Sequence, residues 1–177
     1  PGLNDVDSVG VRLFSYALNN SPYKQLCRYI KLEYKEMIAP IAQTWTDIRI
    51  MNAEDRTGRG GDHIPFRQLQ FTSMRFTSAN EHGNADVTNA SYTDRQHSTR
   101  DTLGADTNGD FAVDSFFVDF RYLGRNAVIN GNAAGMAAIS PKTPTMTLGV
   151  HDSDLVIHVL TQQQYGLYRV GVRTITN

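Results

Sequence analysis

A single cysteine, Cys27, stands in this chain, so no intrachain disulfide and no cysteine-ligated zinc cluster can form. That excludes the disulfide-stapled secreted scaffolds and favours a reducing compartment. No apolar run approaches the roughly 20 residues that cross a bilayer. The opening Pro1-Gly2-Leu3-Asn4-Asp5 is not the basic-then-apolar start of a signal peptide. No membrane partner is expected, and a start at proline fits loss of an initiator methionine or cleavage from a precursor. Neither sign of charge dominates: 17 basic and 18 acidic residues leave a net charge of −1. A global electrostatic footprint for nucleic acid is therefore missing, and any such contact has to come from a local patch.

Catalytic signatures are missing too. Gly58-Arg59-Gly60-Gly61 lacks the lysine and hydroxyl of a phosphate loop. The histidines at positions 63, 82, 97, 151 and 158 show no i, i+4 metal spacing and no serine or cysteine partner in a motif. His151 with Asp152 and Asp154 reads as a solvated turn. Cys27, on the apolar face of a candidate helix, reads as buried and inert. The chain is expected not to be an enzyme.

What is there suits a folded domain. The 177 residues are 40% hydrophobic and 20% charged, enough for one domain with a core. Arginine far outnumbers lysine and aspartate far outnumbers glutamate, with asparagine, threonine and glycine abundant. Those residues favour turns, caps and strands over helix interiors. Arginine also makes rigid bidentate contacts at interfaces.

Residues 1–41 read as a helical N-terminal segment. Val6, Val9, Leu13, Tyr16 and Ala17 recur at helical spacing behind Asn4 and Asp5. Ser21-Pro22 then starts a second helix, in which Tyr23, Leu26, Cys27, Ile30, Tyr34, Met37, Ile38 and Ile41 follow the i, i+3, i+4, i+7 pattern. Residues 44–177 read as a β-sandwich. Its strands are expected at Trp45–Ile50, Phe66–Phe76, Phe111–Tyr122, Ala127–Ile129, Thr145–Val150, Leu155–Leu160 and Tyr165–Ile175, the last two forming a hairpin. Asn130 to Ala138 reads as a small-residue loop. Ser78 to Gly109 is a long polar stretch, of the kind that forms contacts. The fold class expected is mainly β: a single-domain antiparallel β-sandwich, jelly-roll-like, with a short helical N-terminal segment.

Two groups of side chains stand out. Asp106, Asn108, Asp110 and Asp114 place oxygen ligands at alternating positions, as a calcium loop does at its start, although Phe111 and Phe117 replace the glycine and glutamate of an EF-hand loop. Calcium is the one cofactor with any support, against the plainer reading of a polar turn. Lys24, Arg28, Lys31 and Lys35 form a basic stripe on the second helix, with Arg56 and Arg59 in the glycine-rich loop as further candidates for nucleic-acid or partner contact. The plainer reading there is a solvated helix face.

Taken whole, this layout of a basic helical segment, antiparallel strands with long polar loops, and the closing pair Leu155–Leu160 and Tyr165–Ile175 resembles single jelly-roll coat proteins of small icosahedral viruses. The resemblance implies a self-assembling viral capsid subunit located in the virion and assembled in the host cytoplasm or nucleus. Its partners would be copies of itself, with nucleic acid on the basic face. Such coats usually begin with an Arg/Lys-rich arm, for which only the four basic helix residues could substitute here. A phage-type connector or tail component, or a non-catalytic β-sandwich module binding carbohydrate or peptide, are the alternatives.

Overall fold

Ser21 starts a helix as its neighbours dictate: its hydroxyl accepts from the Lys24 N–H at 3.2 Å, and Pro22 occupies the first turn. In the computed structural model, which describes residues 7–56, 60–79, 98–140, 145–152 and 154–160, this helix, α1 (Pro22–Glu33), continues into a π-helical turn, Tyr34–Ile38. It connects two parallel strands. β1 (Gly10–Phe14) pairs with β2 (Asp47–Ile50) in the register Val11–Ile48 and Leu13–Ile50. The order is a β-α-β unit, the connection that parallel pairing requires. The other edge of β1 pairs antiparallel with β3 (Arg75–Ser78), Leu13 opposite Phe76. Between β2 and β3 in the chain lies a short helix, α2 (His63–Gln68).

The core sits where α1 and the sheet meet a third helix, α3 (Phe120–Ile139). Val11, Leu13, Cys27, Ile30, Tyr34, Ile48, Ile129 and Ala133 form one buried cluster. Each of the larger aliphatics contributes about 1.5–3 kcal/mol by leaving water. Tyr122 of α3 donates its hydroxyl to the Gly10 carbonyl at 2.5 Å, tying the helix to β1. Two-residue strands β4 (Gly104–Ala105) and β5 (Ser115–Phe116) pair just before α3. Gly104 has no substitute there, since a Cβ would lie 2.2 Å from the Ser115 carbonyl oxygen.

The chain divides into two compact units, Pro1–Ala133 and Ala134–Asn177. In the second, β6 (Thr145–His151) and β7 (Asp154–Leu160) form an antiparallel hairpin whose turn begins at Asp152, at φ +49°. His151 Nδ1 lies 3.1 Å from the Asp152 carboxylate at that turn, both side chains solvent-exposed.

The mainly β sandwich is therefore not the fold. Among the described residues there are three α-helices and seven short strands in three small sheets, of three, two and two strands. Three local misreadings account for the difference. The first expected helix is β1, whose apolar residues follow no single face because partners on both edges and packing on both sides bury nearly all of it. The strand expected from Phe66 begins as α2 and reaches β3 only at Arg75. Of the strand expected at Phe111–Tyr122 only β5 is extended, between an exposed loop and the start of α3, while the strand expected at Ala127–Ile129 and the loop expected at Asn130–Ala138 lie wholly within α3. There Asp119 caps the helix, its carboxylate accepting from the N–H groups of Arg121 and Tyr122, and the alanines that follow are strong helix formers. β7 pairs with β6, and the expected strand Tyr165–Ile175 lies outside the described residues.

Candidate interaction surface

The basic stripe does not survive as one face. Lys24 is buried, 2% exposed. Its ammonium donates to the carbonyls of Ser15 (2.7 Å), Met51 (2.5 Å) and Asn52 (3.3 Å), closing the ends of β1 and β2 over α1. A lysine can sit inside because these oxygens replace water around all three of its protons. Burial pushes its pKa below the usual lysine value; the neighbouring Cys27 opposes this and Arg28 adds to it. Arg28 donates to the Asn19 carbonyl, while Lys31 and Lys35 are exposed. Arg56 is half-buried, in a loop held by Arg67 gripping Glu54 with two hydrogen bonds (2.7 and 3.0 Å) and by Arg75 on Asp55. Arg59 lies outside the described residues, as does most of the polar stretch, 80–97.

Asp106, Asn108, Asp110 and Asp114 do come together in one exposed loop, and their side chains are turned to its own backbone. Asp106 accepts from the N–H groups of Asn108 (3.1 Å), Gly109 (2.6 Å) and Phe111 (2.8 Å). Those of Gly109 and Phe111, above all, hold its carboxyl below the usual aspartate pKa. Asn108 accepts from Asp110 N–H, Asp110 from Ala112 N–H, and Asp114 from both the N–H and hydroxyl of Thr107. Among the described residues no group of three His, Cys, Asp or Glu side chains is arranged to hold a metal ion. What this network holds up is Phe111, a residue 99% exposed on a backbone at φ +68°. That conformation is unusual and costly for a bulky residue.

A groove of about 700 Å3 opens between the π-helical turn that extends α1 and the first half of α3. One wall is Tyr34, Ile38, Ile41 and Ala42, continuing to Gln43, Thr44 and Thr46. Tyr34 is fixed there by accepting the buried Thr46 N–H at 2.6 Å. The other wall is a helical stripe: Phe120 and Arg121, Gly124 and Arg125, Val128 and Ile129. No acidic residue lines it. Arg125 donates to the Ser8 carbonyl and lies over the Tyr122 ring, whereas the exposed Arg121 makes no side-chain hydrogen bond or ion pair among the described residues. Phe120 meets Phe116 edge-on, ring centroids 5.2 Å apart, which joins the groove to the apolar surface of β5.

None of the α3 residues in this groove was marked by sequence reasoning. The signal was present in the pairs at 120/121, 124/125 and 128/129 behind the Asp119 cap. Phe111 carried a strand's apolar weight in the sequence and a loop tip's exposure in the structure. No family model, curated protein or solved structure matches the chain.

Proposed function

We propose that this chain is a non-catalytic structural subunit that assembles with copies of itself, of the viral coat type whose layout its sequence resembles, with the virion as its place. The jelly-roll fold is no part of this reading. One observation carries it: among the described residues, large apolar side chains at the surface outnumber those in the core. Scattered exposed apolar residues are ordinary. Here seven of them, Leu103, Phe111, Val113, Phe116, Phe117, Phe120 and Leu123, each at 43% exposure or more, fall between positions 103 and 123, and Phe116 packs edge-on against Phe120. A run of this kind marks a surface that another protein covers.

Aromatic residues and arginine are the types that anchor protein interfaces, and both frame the groove. Among the described residues, the exposed Lys31 and Lys35 are the remaining candidates for a nucleic-acid contact, a small patch suited to a weak, salt-sensitive one. The test is the state of the purified protein in light scattering and electron microscopy. Closed oligomers or particles are expected. A strict monomer at high concentration overturns the reading.

A further inference from the structure

We infer that the Phe111 loop of one copy docks in the α1–α3 groove of a second copy. This rests on the self-assembly reading above and names the contact that would drive it. Phe111 is fully solvated in its own chain, so its own groove does not hold it. The loop that presents it is stiffened by the Asp106 hydrogen bonds, so little conformational freedom is lost when the ring is captured. The groove is apolar along Tyr34, Ile38 and Val128 and large enough for a phenyl ring with its neighbours.

Charge selects the occupant. The loop is acidic, with Asp106, Asp110 and Asp114 flanking Phe111 in the chain and no basic residue between 101 and 120. The groove carries Arg121 and Arg125 and no carboxylate, and Arg121 is unengaged among the described residues. Loop and groove are thus opposite in charge, and the groove has room for the ring. The two halves also adjoin on one surface, since β5 follows the loop and its Phe116 touches Phe120 at the groove rim. A surface that holds both halves can pair with itself about a two-fold axis, each copy giving a ring and receiving one.

Two variants break opposite halves. Phe111→Ser removes the ring at a fully exposed position. Gly124→Leu fills the groove, and its Cβ meets no atom within 4 Å, so the fold has room for it. Circular dichroism and thermal melting check that both stay folded, and sedimentation then reads self-association. Each variant alone should weaken association by about 30-fold or more, as loss of an aromatic anchor does. Mixed one to one, they should recover a complex through the single intact pairing of ring and groove. Arg121→Glu, on the surface, should weaken it as well.

If the parent assembles and both variants assemble equally well, this docking is wrong while the self-assembly reading stands. The same holds if the mixture recovers nothing. A monomeric parent overturns both, and leaves the groove to a peptide or small anionic ligand.

Discussion

The Lys24 corner and the Phe111 loop are both held by fans of three hydrogen bonds, and they put opposite things in opposite places. At the first, three carbonyls carry an ammonium into the core. At the second, a carboxylate and three N–H groups carry a phenyl ring into water. Both arrangements are costly locally. The first is offset inside the chain, because the same lysine closes β1 and β2 over α1. The second gains nothing inside the chain, since the ring touches almost none of it. Stability resides in the first region, and the second makes physical sense only against a partner. Substitutions should separate the two.

Lys24→Ala should have the largest effect. It leaves the carbonyls of Ser15, Met51 and Asn52 without their donor, for a loss of about 3 kcal/mol, visible as a large drop in Tm or as insoluble protein. A Tm unchanged within a degree would show that the ammonium closes nothing. Next is Tyr34→Phe. It strands the buried Thr46 N–H and should cost about 1–2 kcal/mol in urea unfolding.

How far the sequence foretold these regions follows from what each residue type ordinarily does. The α1 helix was legible because Ser21-Pro22 and the run Cys27, Ile30, Tyr34 act locally, through a cap and one apolar face. Lys24 was not, since a lysine on a helix is normally solvated, and its three acceptors come from residues 9, 27 and 28 positions away. β1 imitated a helix because a central strand buried on both faces has no alternating pattern. The candidate calcium loop was legible as a loop; that its carboxylates would be taken by their own backbone depends on turn geometry, which spacing alone does not give.

Acid should touch the Phe111 loop and the start of β1. Burial works against ionisation of Asp7, but the N–H groups of Gly10 and Val9, with Arg49, outweigh it and hold its carboxyl below the usual value of 3.8. Asp106 is lowered as well, by the N–H groups of Gly109 and Phe111. For both, the unfolded chain takes up protons first. Their stabilisation is therefore present above pH 3.8 and lost as the pH falls through the lower folded values. Urea unfolding at pH 5 and pH 3 should show this fall, and Asp106→Asn should flatten part of it. An unaltered slope would mean that the loop network contributes nothing to folding. Millimolar calcium should leave the Tm within about a degree, because Asp106 already accepts from its own loop; a rise of several degrees would restore the cation reading.

The smallest changes should have the reverse sign. Gly124→Ala replaces a glycine inside α3 with a better helix former, where a Cβ meets nothing. It should raise stability by up to about 1 kcal/mol. Phe111→Gly is the sharper case. Glycine adopts φ +68° freely, so the strain disappears, and the ring removed had almost no contacts to lose. Glycine's extra freedom in the unfolded chain offsets part of that gain, leaving about 0.5 kcal/mol in favour of the variant. A surface residue whose removal improves its own fold is held in place by something other than folding. A clear loss of stability in the dilute protein would instead place Phe111 among the residues that hold the chain together, and the contrast with Lys24 would vanish.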